Sequence, residues 1–160
     1  MPALAHIAHR AWRIAPGLAL LILSACGSPG SVEDYLSDLS GITMQMTRDS
    51  FEALPPGAAP THEQVAEVVD ARRTALAAIE ALAPPDELEP EHLVLIAAFE
   101  DLIAAGQSFL ADTAGLAPES FGEALLASSE IDALANRVTS ACDAVRRQAE
   151  GLGYVVSLAC

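Results

Sequence analysis

Lysine is absent from this chain, and all eight basic residues are arginines set against 22 acidic ones. A formal net charge of −14 repels phosphate backbones and anionic headgroups, so no nucleic-acid partner is expected. Aromatic rings are scarce: beyond Trp12 there are only Tyr35, Tyr154, Phe51, Phe99, Phe109 and Phe121. Carbohydrate recognition rests on exposed rings, and most of these fall on apolar helical faces. No Gly-x-Ser-x-Gly elbow, His-Glu-x-x-His pair or glycine-rich phosphate loop occurs, which removes the common hydrolytic and nucleotide-binding designs. The lack of Cys-x-x-Cys-His excludes covalently attached haem.

What is present begins with Arg10 and Arg13, which precede an apolar run from Ile14 to Leu23 with no acidic residue before Cys26. Export machinery reads this order, because the charge stays on the cytoplasmic side while the apolar core enters the bilayer. A spanning helix needs about 20 apolar residues. This run is shorter and carries Pro16-Gly17 near its start, so residues 1–25 read as a removable signal peptide.

Leu23-Ser24-Ala25-Cys26 resembles the lipobox of bacterial lipoproteins at all four positions. The resemblance implies cleavage before Cys26, a diacylglyceryl thioether on its sulfur, often N-acylation as well, and a membrane held through that lipid. Each buried methylene contributes about 0.8 kcal/mol, so two or more chains make dissociation negligible. Residues 26–30, with Gly27-Ser28-Pro29-Gly30, form a short tether of turn-prone residues. Gly27 in place of Asp implies the outer membrane of a two-membrane bacterium, by resemblance to its sorting rule; in a one-membrane bacterium the protein faces outward from the cell membrane. Without Arg10 and Arg13, two positive charges fewer, the formal balance moves from −14 to −16. That surface reads as a solubilising one.

Residues 31–160 suffice for one domain. Apolar periodicity predicts helices throughout, punctuated by Pro and Gly. The first runs from Ser31, as N-cap with Asp34, to Ala53, with Tyr35, Leu36, Leu39, Ile42, Met46 and Leu54 on its apolar face. Thr61 with Gln64 is a capping box opening the second, whose stripe includes Val65, Val68, Val69, Leu76 and Ile79. Pro90, at a first helical position, opens the third, which presents Leu95, Ile96, Phe99, Leu102 and Ile103 before Gly115. From Pro118 to Glu150 either a short helix to about Ala127 precedes a main helix from Ser129, or one bent helix forms. Gly151 and Gly153 end it. Four helices of about 33 Å at 1.5 Å per residue, joined by short connections, predict an all-α, up-down-up-down four-helix bundle.

Cys142 and Cys160 are the thiols left once Cys26 is lipidated. In an oxidising compartment they are expected to pair, because an extended tail beyond Gly151 is long enough to fold back to Cys142. The segment from Cys142 to Cys160, together with Leu82 to His92, resembles small alanine-rich helical lipoproteins of high-GC bacteria. That likeness implies fold and address, not an activity.

Several residue pairs invite a chemical reading. Glu89 and His92 have the Glu-x-x-His spacing of di-iron bundles, yet that site needs the motif twice; a capping and surface role is expected instead. Met44 and Met46, with His62 or His92, offer thioethers for copper, but alternate residues do not share a helix face. Met46 is expected in the core and Met44 on its flank. Glu100-Asp101 and Glu89-Glu91 read as solvated faces. Arg72-Arg73 and Arg146-Arg147 are expected to pair with acids on adjacent turns, Asp143 with Arg147 among them. No catalytic set, metal site or cofactor site is expected. The chain reads as a membrane-anchored, non-enzymatic interaction or envelope module. The alternative, a small-ligand or metal-binding bundle, requires a cavity.

Overall fold

The computed structural model describes residues 31–55 and 59–160. These are all-α: α1 (Val32–Ala53), α2 (His62–Glu80), α3 (Glu89–Asp112), α4 (Pro118–Leu126) and α5 (Ser129–Gly151), with no strand among the described residues.

Local chemistry sets the helix ends. The Ser31 hydroxyl accepts from the Asp34 N–H at 3.1 Å and donates to the Asp34 carboxylate at 2.7 Å. Both bonds of the expected capping box form, Gln64 N–H to Thr61 Oγ1 at 3.3 Å and Thr61 N–H to Gln64 Oε1 at 2.9 Å. Helix α3 begins one residue before Pro90, after a fully buried Leu88. The stretch from Pro118 forms two helices, α4 and α5, the second starting at Ser129 with Ser128 as its cap; the Ser128 hydroxyl accepts from the Ile131 N–H at 3.5 Å. At the far end of α5, Gly153 adopts φ 92°, which costs a side-chain-bearing residue about 1–2 kcal/mol. The Gly153 N–H donates to Glu150 O at 3.0 Å and the Tyr154 N–H to Ala149 O at 2.9 Å, a Schellman ending that turns the tail back along the helix.

Helix α3 lies between α2 and α5, and α1 packs on α2. Leu39, Ile79, Leu95, Phe99 and Val145 lie in one continuous core, each contributing about 1.5–3 kcal/mol through burial. Among the described residues α3 alone is long and apolar enough to cross a bilayer. Its apolar length also fits its place in the core, where Leu95, Ala98, Phe99 and Leu102 are buried. At Gly106 a Cβ would stand 2.8 Å from Val69 Cγ2, so a side chain there requires Val69 to shift or to be smaller. Helix α4 lies over the end of this layer. Its buried Phe121 ring sits 5.4 Å from both His62 and Phe109, centroid to centroid.

Candidate functional site

The backbones of α1 and α5 are not a closely packed pair; the tail ties them together. Cys142, buried on α5, is disulfide-bonded to Cys160 with their Cα atoms 6.4 Å apart, as the cysteine usage predicts. On the other side, the Ser40 hydroxyl donates to Ser157 O at 2.9 Å and the Thr47 hydroxyl to Ala159 O at 2.8 Å. The Ala159 N–H donates to Thr43 Oγ1 at 3.4 Å. Ser40, Thr43 and Thr47 recur at helical spacing on one face of α1 and give an extended segment the partners that a neighbouring strand would otherwise supply. Val156 and Leu158 pack against the core from the same tail. The sequence reading missed this hydroxyl row, although its three-and-four spacing was visible.

His92 corrects a second expectation. It is 3 % exposed rather than a surface residue, and its Nδ1 lies 3.0 Å from the Tyr35 hydroxyl. With the neutral ring protonated on Nε2, that hydroxyl donates. Position 92 falls on the stripe of Leu88, Leu95 and Phe99 at helical spacing, the signal that marks it as interior. Burial pushes the His92 pKa below its ordinary value, with Glu89 opposing. Burial, and then the charge of Glu91, push Tyr35 up to about 12. Glu91 Oε2 is buried without a hydrogen-bond partner among the described residues. Tyr35 and His92 therefore satisfy each other, a structural pairing of neutral groups.

The third feature is a cleft around Arg72. Val65, Val68, Val69 and Arg72 line one face of α2. Opposite them, Leu125, Leu126 and Ile131 from α4 and α5 bound a space of about 290 Å³, with Gly106 of α3 also on its wall. A second space of about 300 Å³ lies on the α1 side, lined by Met46, Phe51 and Cys160 among others. Arg72, Leu54 and Val68 border both. Two large apolar residues on these walls stand open to solvent, Phe51 at 63 % and Leu126 at 83 % exposure. No acidic side chain lies within ion-pair distance of Arg72 among the described residues, against the expectation that it pairs on an adjacent turn. Its half-buried guanidinium has its pKa lowered by desolvation.

The other arginines behave differently. Arg73 pairs with Asp70 at 2.6 Å on the next turn. Asp143 pairs with Arg146 at 2.8 Å and not with Arg147, and Arg146 also reaches Glu150 at 3.4 Å. Asp101, read as part of a solvated face, also bridges from α3 to Arg137 of α5 at 2.8 Å. Glu89 is exposed while His92 is buried, so the Glu-x-x-His pair does not converge on one site. Met46 is buried and Met44 is 55 % exposed, which separates the two thioethers. Among the described residues no three His, Cys, Asp or Glu side chains come together as metal ligands. Cys26, the rest of its lipobox and the tether lie outside the described residues. Compared with family models, with curated proteins and with solved structures, the chain matches none.

Proposed function

We propose that the chain is the precursor of a lipoprotein, exported, cut before Cys26 and held on a membrane by acyl chains on that residue. Its helical domain faces away from the cytoplasm as a non-enzymatic interaction or envelope-associated module. The observation that carries this reading is Leu23-Ser24-Ala25-Cys26 standing directly after Arg10, Arg13 and a short apolar core. The Cys142–Cys160 bond supports an oxidising location, since cytosolic thiols are kept reduced. Helix α1 opens at Val32, so the domain begins within a few residues of the lipid.

We read the domain itself as an up-down-up-down four-helix bundle with α4 as an added short helix. Three contacts support it. Tyr35 at the start of α1 meets His92 at the start of α3. His62 at the start of α2 bonds Leu110 O at the end of α3, at 2.9 Å. Gln148 near the end of α5 donates to Glu87 O just before α3, at 3.1 Å. An envelope protein is the partner class that suits such a module, and its acidic surface disfavours nucleic acid.

Replacement of Cys26 by Ala in the full chain tests the anchor. The variant is expected to lose palmitate labelling and to leave the lipid-anchored membrane fraction, with its helical circular dichroism unchanged. Retained labelling would remove the lipoprotein reading. The alternative, a small-ligand module, is favoured by one observation, the cleft at Arg72.

A further inference from the structure

The structure of the cleft between α2 and the α4–α5 corner points to a ligand. We propose that it binds a single-chain aliphatic acid, with the carboxylate on the Arg72 guanidinium and the hydrocarbon chain in the adjoining apolar space. The inference concerns the folded domain and does not depend on the lipid anchor.

Three observations lead there. Arg72 is a cation set among aliphatic side chains with no acidic partner within ion-pair distance among the described residues. A half-buried charge is costly unless it is paired and hydrogen-bonded, and a carboxylate matches the planar guanidinium with two parallel bonds. Next, the walls are Val65, Val68, Val69, Leu125 and Leu126, which offer contact area and no hydrogen bonds. A bound peptide would leave its own amide groups unsatisfied against them; a methylene chain has none to satisfy. The volume of about 290 Å³ on this side is at the small end for ligand sites, which suits one chain rather than two.

The remaining charge on this wall narrows the class. Asp132, in the first turn of α5, lines the same space and brings an acidic side chain to it. A phosphate dianion would bring a second charge that one guanidinium does not neutralise, whereas a carboxylate is matched one to one. The cost of desolvating Arg72 is offset by the charge and hydrogen bonds of an incoming carboxylate. Leu126, on the wall of this cleft and open to solvent, provides apolar surface where the chain reaches its mouth.

The test uses the full chain, recovered from cells without detergent in whichever fraction it occupies. It is irradiated with hexadecanoic acid carrying a diazirine in its chain, and in parallel with the methyl ester of the same probe. The expected result is light-dependent adducts on peptides of α2, α4 and α5 that line the cleft, with the ester labelling about tenfold less, as loss of a charge-assisted contact implies. Arg72→Ala should lower labelling by the acid about tenfold, Arg72→Lys by less, and Arg48→Ala, an exposed arginine on α1, not at all. Equal labelling by acid and ester overturns the proposal, as do adducts scattered over the surface. The ester comparison needs no variant, so it decides even if Arg72→Ala does not fold. A soluble chain that still gives the cleft adducts refutes the anchor and leaves the cleft standing.

Discussion

The contact between α2 and α3 and the gap between α1 and α5 are closed by different chemistry. At the first, Gly106 brings two helices together and aliphatic side chains fill what remains. At the second, an extended tail occupies the space, and its backbone groups come with it. Those groups need partners, which Ser40, Thr43 and Thr47 supply, while Cys160 is held by a covalent bond. One closure draws on burial in the folded state, which redox conditions do not touch. The other draws largely on restriction of the unfolded chain and is therefore sensitive to reductant.

The comparison can be broken first in the core. Phe99→Ala is expected to cost about 3–5 kcal/mol in denaturant unfolding, equally in oxidised and reduced protein, because Phe99 is 1 % exposed in the shared core. A penalty that depended on the disulfide would show that the two closures are coupled. Next in size, Cys160→Ala removes a cross-link spanning 18 positions and is expected to cost about 3 kcal/mol. Hydrogen exchange on this variant should rise at the tail amides, such as that of Ala159, while the amides of α2 and α3 keep their rank order. Equal acceleration on both sides would contradict the separation.

The smallest effect concerns pH. Burial holds the folded His92 below its ordinary pKa, so between about pH 6.5 and that lower value the unfolded chain binds the proton and the folded chain does not. The stability associated with His92 is present above about pH 6.5 and is lost as pH falls toward the folded pKa. Urea midpoints at neutral and mildly acidic pH should therefore differ more for wild type than for His92→Gln.

Helix identity was legible wherever apolar spacing and end signals agreed. Ser31, the Thr61-Gln64 box and Gly153 all stand where the sequence places helix ends, since caps and left-handed glycines are local chemistry. Cysteine usage likewise predicts the bond from Cys142 to Cys160. The choice between one helix and two after Pro118 was not legible, because it rests on Phe121 docking against His62 and Phe109, residues distant in the chain. His92 was misread as a surface residue because its polar type outweighed its position on an apolar stripe. Arg72 was misread for the converse reason. Its neighbours in sequence suggested a charged helix surface, while α4, which brings Leu125 and Leu126 over it, comes from a distant part of the chain.

The missing side chain at position 106 carries a consequence for how this protein can change. Val69 and residue 106 share one small volume, so whatever one gains the other must give up. A larger residue at 106 is tolerable only with a smaller one at 69, and the two positions are expected to drift as a pair in related chains. Because both also border the Arg72 cleft, such a paired exchange would move the cleft wall from one helix to the other. The shape of the space could then be retuned without disturbing the rest of the core.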